Sequence, residues 1–191
     1  MDPNLAAFLR VLDPEDNSTG GGTASAVAGA MAASLVAMVA RLSMGKQGME
    51  PEDTYAPIVE EARQLAGDLF EGARRDSEAF DTVLRALRLP KGTEQEKATR
   101  TQAIQAGYAQ ATEVPLRNAE MCVRAHQLAG ELEGRSNPNA ASDLICARHL
   151  ARAGARGCLA NVTINLPSIK DQDRAAHYSA RAETLEAAVS D

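Results

Sequence analysis

IVEEARQLAGDLFEGARRDSEAFDTVLRAL, residues 58–87, is the stretch that decides the fold class. Ile58, Ala62, Leu65, Leu69, Gly72, Asp76, Phe80, Val83 and Leu87 follow one another at steps of three or four residues. Side chains at that spacing share one face of an α-helix. Every member except Asp76 is apolar or small. A face this regular is expected to be buried, which draws Asp76 into a core or an interface. Burial would raise its pKa, and a neighbouring cation would lower it. Either way Asp76 is a candidate for acid/base work or for stabilising a cationic intermediate. A structural ion pair with an Arg on a neighbouring helix explains the pattern equally well. Glu78 and Asp81 fall off the stripe and are read as solvated.

Toward the N-terminus, residues 23–40 (TASAVAGAMAASLVAMVA) carry no charge. The length approaches that of a membrane span. Ala, Gly and Ser supply too little hydrophobicity for one, and no second such segment accompanies it. The reading is a helix buried in a bundle or a dimer interface, with no membrane partner. Gly20, Gly21 and Gly22 stand directly before it. A helix N-terminus offers free N–H groups and partial positive charge, and glycine lets a ligand approach the backbone. The loop suits an anion or a polar heterocycle, or it is simply a flexible helix entry. It is neither a Walker A loop nor a Rossmann fingerprint, so no nucleotide is expected.

Composition agrees with helix. Apolar residues make up 45%, but with no Trp, 3 Phe and 3 Tyr, and much of the remainder is Ala. Strand-favouring types are sparse. A formal net charge of -6 lacks the basic footprint of a nucleic-acid binder. Cys122, Cys146 and Cys158 form no C-x-x-C pair and read as reduced, mostly buried thiols. With no secretion signal in MDPNLAAFLR, a cytoplasmic location is expected.

Further elements follow from local signals. A short helix opens at Asp2-Pro3-Asn4, and Asp13 to Asn17 is a polar loop. The small-residue helix runs to about Met44. Pro51 suits the first turn of the next helix, which runs to about Leu89 with a possible kink at Pro57. Thr93 to Glu96 (TEQE) is a capping-box signature. Pro115 should bend the helix that follows. After the break at Ser136 to Asn139, helix resumes from about Ala140 to Gly157, and Val162 to Ile164 is read as helix too. A last helix starts at Pro167 or Ser168. The expected fold is all-α: one domain over 1–191, an up-and-down bundle of long, partly kinked helices that dimerises through helix faces.

Other polar residues cluster. Asn137, Asn139, Ser142 and Asp143 gather at one helix start, where Ser142 or Asp143 would serve as a cap. Asn161 and Asn165, four apart, put two amides on one face. Such amides bond backbone or grip a ligand's amide edges. Lys46, Arg75, Arg100 and Lys170 are cations available to a pocket. His126, His149 and His177 have no ligand spacing, so no metal is expected.

Several ordered stretches together resemble the cyclodeaminase/cyclohydrolase family. That family comprises the cyclodeaminase half of formiminotransferase-cyclodeaminase and the stand-alone methenyltetrahydrofolate cyclohydrolases. The resemblance runs through residues 20–46 (GGGTASAVAGAMAASLVAMVARLSMGK), 76–80 (DSEAF), 87–100 (LRLPKGTEQEKATR), 113–120 (EVPLRNAE), 137–144 (NPNAASDL) and 161–166 (NVTINL). It implies an all-helical homodimer with a folate site near the dimer interface. A tetrahydrofolate derivative would be the substrate, its 5,10-methenyl bridge formed or opened. Asp76, in the family's D-x-E-A-F motif, would be the catalytic carboxylate. Gly20, Gly21 and Gly22 would pack against the pterin or the linkage below it. Asn161 and Asn165 would bond the pterin edge, and Arg100 or Lys46 would meet glutamate carboxylates. Asn137 and Asp143 are further candidate substrate contacts. Thr19 and Ser136 stand where the family usually has Pro and often Gly. The alternative is a folate-binding or structural helical dimer without turnover.

Overall fold

A computed structural model describes residues 2–16 and 19–190. Asn17, at the end of the expected polar loop, lies outside the described residues. Among the described residues there are helices and no strands. They comprise α1 (Pro3–Val11), α2 (Gly21–Ser43), α3 (Glu52–Leu87), α4 (Glu94–Glu131), α5 (Ala141–Asn165) and α6 (Gln172–Ala187). Short 3₁₀ turns, Pro138–Ala140 and Leu166–Ser168, precede and follow α5.

Four long helices make an up-and-down bundle. α2 packs against α3 and α5, and α4 closes the square by packing against those same two helices. α1 lies on α2 and α3, and α6 on α4 and α5. The capping box at the head of α4 is complete: Thr93 Oγ1 accepts from Glu96 N–H at 3.2 Å, and Glu96 accepts from Thr93 N–H at 2.9 Å.

α2 is the uncharged segment. By length and composition it could cross a membrane, yet 61% of its apolar window is buried inside the bundle. Its buried residues include Val27, Val36, Val39 and a series of alanines, and such small side chains let backbones come close. A methyl group on Gly154 of α5 would lie 2.8 Å from the Ser25 carbonyl oxygen and 3.1 Å from the Gly29 nitrogen of α2. Those two helix backbones touch, and this sets the distance of the α5 C-terminal half from the start of α2.

Several expectations change in detail. The last helix begins after Asp171, whose side chain accepts from Arg174 N–H at 3.0 Å; Leu166–Ser168 is a 3₁₀ turn. Neither Ser142 nor Asp143 caps α5, whose N-cap is Ala140 without a side-chain bond. Asn137 takes that role one turn earlier, accepting from Asn139 N–H at 3.1 Å. Cys122 and Cys158 are buried, but Cys146 is exposed. The α3 stripe is buried at Ile58, Ala62, Leu69 and Val83, while Phe80 and Leu87 are 46% and 42% exposed. Periodicity assigns residues to a face; it does not say what covers that face.

Candidate functional site

The first turn of α2, the second half of α3, the middle of α4 and the last turn of α5 enclose a pocket of about 480 Å³. Its size lies within the range of small-molecule sites. Gly20, Gly22, Thr23, Asp76, Asn161, Asn165 and Ser168 supply its polar part. Phe80, Leu84, Leu87, Tyr108 and Ile164 supply much of the rest. Asp76 is the one charged side chain in the lining.

Asp76 reaches across from α3 to the start of α2. The Thr23 hydroxyl donates to Asp76 Oδ2 at 2.9 Å, and the Thr23 backbone N–H also favours the ionised carboxyl. A methyl group on Gly22 would sit 2.6 and 2.7 Å from the two carboxylate oxygens. Only glycine admits the carboxylate so close to the backbone. The room that Gly22 leaves is thus filled by Asp76, whereas Gly20 stays open, with nothing within 4 Å of a Cβ placed there. The Asp76 side chain is partly exposed at the pocket surface, yet protein packs round most of the carboxyl. This burial pushes its pKa above the ordinary aspartate range, and the hydrogen bonds from Thr23 only partly offset it. No ion pair to Asp76 occurs among the described residues, so the structural reading of the stripe as a salt bridge has no partner.

The paired amides of α5 line the opposite wall. Asn161 Nδ2 donates to the Gly157 carbonyl at 3.0 Å, and Asn165 Nδ2 donates to the Ala111 carbonyl of α4 at 2.8 Å. A backbone carbonyl accepts only from the amide nitrogen, so both amide orientations are set. Each side-chain oxygen is left as an acceptor for a ligand.

The other sequence candidates lie elsewhere. Gly21 is exposed and not among the lining residues; a methyl group placed on it would lie 3.5 Å from Asn161 Nδ2. Arg100 is not among the lining residues; its Nη2 donates at 3.1 Å to the carbonyl of Leu87, which does line the pocket. Its Nε is buried without a hydrogen-bond partner among the described residues. Lys46, Asn137 and Asp143 are not brought to Asp76 within one chain. Lys46 Nζ donates to Asn137 Oδ1 at 2.8 Å beyond the far end of α2, about 30 Å along the helix from Gly22. Asp143 lies in the first turn of α5, about 27 Å along that helix from Asn161.

Sequence reasoning missed Thr23 as the partner of Asp76. The available signal was its place in the first turn of a helix, where N–H groups need an acceptor. Tyr108 and Ser168 carried no signal. A second groove, of about 790 Å³, lies between α3, α4 and α6. It is larger, but Arg75 pairs with Glu71 at 2.7 Å and Arg117 with Glu113 at 2.8 Å. It offers no buried group that calls for a partner.

Residues 4–184 match the family model described as formiminotransferase-cyclodeaminase. The chain belongs to this family. It is 37% identical to a methenyltetrahydrofolate cyclohydrolase of Methylorubrum extorquens over 88% of this chain and 81% of that one. It is 32% identical to the formimidoyltransferase-cyclodeaminase of Rattus norvegicus over 90% of this chain but only 32% of that protein. The fold matches the crystal structure of a formiminotetrahydrofolate cyclodeaminase from Thermotoga maritima with a TM-score of 0.84 and 29% identity, over 96% and 88% of the two chains. The resemblance and the all-helical expectation are borne out, and the relatives are enzymes of folate one-carbon metabolism.

Proposed function

We propose that this enzyme of folate metabolism opens the 5,10-methenyl bridge of tetrahydrofolate by hydrolysis, with Asp76 as the group that serves the chemistry. The observation that carries the reading is a lone, part-buried carboxyl in a pocket whose lining holds no other charge. The methenyl substrate is a cation, its charge spread over N5, the bridge carbon and N10. At a separation of about 4 Å and an effective dielectric of about 20, such a pair is worth about 4 kcal/mol, against about 1 kcal/mol in bulk water. A cation arriving beside a carboxyl held high by burial drives it to ionise. The carboxylate then takes a proton as water adds to the bridge carbon. The adduct collapses to a formyl group on N10, the bond from carbon to N5 breaks, and N5 receives a proton. Overall, cation and water give the 10-formyl product and one proton.

The amide oxygens of Asn161 and Asn165 suit the N–H donors along a pterin edge. Open Gly20 lets the ligand approach the head of α2. Arg100, bonded to the backbone of the lining residue Leu87, suits an anionic glutamate tail. We read residues 1–191 as one cytoplasmic helical domain. We also read a homodimer, supported by Met31 and Leu42 on α2, 45% and 43% exposed. Any part that Lys46, Asn137 or Asp143 takes at a folate bound by Asp76 would have to come from the partner copy.

Hydrolysis is supported by the higher identity to the cyclohydrolase. Deamination is the second reading, favoured by the fold match to the Thermotoga enzyme. There N10 attacks the 5-formimino carbon and ammonia leaves, with the same carboxyl moving the proton. Offering 5,10-methenyl- and 5-formiminotetrahydrofolate side by side decides between them. Methenyl opening with kcat/KM at least about tenfold the greater is the expected result. The reverse preference makes the chain a deaminase. Thermal stabilisation by folate without turnover of either compound would make it a binding module, and no stabilisation a structural dimer.

A further inference from the structure

We infer that Thr23 is the positioning residue of this site, fixing the Asp76 carboxylate in place from the first turn of α2. The inference rests on the role proposed above for Asp76. Thr23 is fully buried and is the third residue of α2, where a helix N–H has no partner within its own helix. The N-cap, Gly20, has no side chain to satisfy that turn. Asp76 meets that turn from the neighbouring helix, accepting from the Thr23 hydroxyl at 2.9 Å, while the Thr23 backbone N–H also favours its charged form. Gly22 makes the approach possible.

Among the described residues no Lys, Arg or His lines the pocket to hold the negative charge. On α3 itself, Arg74 and Arg75 turn to Glu78 and Glu71. From α5, Cys158 is buried in the core behind the site, and its thiol is raised chiefly by its hydrogen bond with Cys122 and by burial, with the Asp76 charge adding to this. From α4, Tyr108 lines the pocket. The carboxylate therefore depends on Thr23 and on the positive end of α2. Burial favours the protonated form and the Thr23 bonds favour the ionised one. The hydroxyl thus offsets part of the cost of ionising the carboxyl, and it restricts the rotation of the carboxylate.

The test is a carbon-13 NMR titration of the Asp76 carboxyl in the wild type, Thr23→Val and Thr23→Ser, beside the pH dependence of kcat/KM on the preferred folate. Valine removes the donor and keeps the shape, so the midpoint and the acid limb should both rise by about 1 on the pH scale. Below the limb that is about a tenfold loss, recovered at higher pH. Serine restores the donor and should leave both near the wild-type position. If Thr23→Val folds poorly, Thr23→Ala carries the same expectation. An unmoved midpoint in the valine variant overturns the inference. So does a serine midpoint that moves as far as the valine one, and so does a loss of kcat/KM by one factor at every pH. If the wild type turns over neither folate while its midpoint still follows Thr23, the reaction assigned to Asp76 fails and the clamp stands. An unmoved midpoint in an active enzyme overturns the clamp alone.

Discussion

The two ends of α2 handle polar groups in opposite ways. At its C-terminal end buried polar groups are tied to one another. Ser43 Oγ donates to the Val39 carbonyl at 2.9 Å and accepts from Asn137 N–H at 2.8 Å. Asn137 Nδ2 donates to the Leu42 carbonyl at 3.2 Å, and Asn137 Oδ1 accepts from Lys46 at 2.8 Å. Nearby, Arg135 grips Glu50 with two bonds, at 2.8 and 2.6 Å, and Tyr55 donates to the Arg135 carbonyl at 2.6 Å. At the N-terminal end a carboxyl sits in a pocket where, among the described residues, Thr23 is its one side-chain partner. Arg135 holds the Glu50 carboxyl below its ordinary range, whereas burial holds Asp76 above it. A crowd of polar residues in the sequence therefore marked a structural lock, and a lone carboxylate in an apolar stripe marked the pocket. Full satisfaction makes a group inert, and an incomplete set of partners leaves it available for chemistry.

The sharpest way to break this comparison is Asp76→Asn. Loss of turnover by about 10²- to 10⁴-fold is expected, the usual worth of a positioned acid or base. The amide oxygen can still accept from Thr23, so the fold should survive. Stability also carries a sign. Burial raises the Asp76 pKa in the folded protein, so its contribution is full below the ordinary aspartate value of about 4 and is lost as pH rises through the raised folded value. Asp76→Asn should therefore gain in Tm relative to the wild type as pH increases across that window. A melting difference independent of pH would contradict a raised carboxyl.

Gly22→Ala tests the same end through packing. A methyl group 2.6 Å from the carboxylate must displace it, at about 1–3 kcal/mol of strain. Denaturant unfolding should show that loss, with kcat falling more than KM rises. Unchanged kcat would mean that the carboxylate position does not matter.

Asn137→Ala probes the other end and should separate the two. Removing a buried amide that serves Lys46, Leu42 and Asn139 should lower stability by about 1–3 kcal/mol. Turnover per folded molecule should stay within about twofold of the wild type, by assay at a temperature where both are folded. A larger loss of kcat would tie the lock to the chemistry after all. Smallest of the set is Glu50→Gln, whose exposed pair with Arg135 should change Tm hardly at all at neutral pH. Any effect should vanish in acid, because a lowered carboxyl contributes above its ordinary pKa and loses that contribution as pH falls.

Much of this architecture was legible in the chain itself. The three-and-four stripe from Ile58 to Leu87 announced α3 and singled out Asp76. The TEQE signature placed the head of α4, and the uncharged alanine-rich run marked α2 as a buried helix. These are local properties: helical period, capping and side-chain size act within a few residues of one another, so linear order suffices to read them. Which side chains meet across the bundle was not legible. Thr23 and Asp76 are fifty-three positions apart, and Asn161 reaches their pocket only because Gly154 lets α5 lie against α2. The same geometry parted Lys46, Asn137 and Asp143 from Asp76 by the length of a helix. Tertiary packing alone decided that Gly22 would be filled by a carboxylate and that Phe80 would stand open at the mouth. The physical reason is that desolvation and hydrogen-bond partnership depend on what surrounds a group in space, and neighbours along the chain do not fix those surroundings.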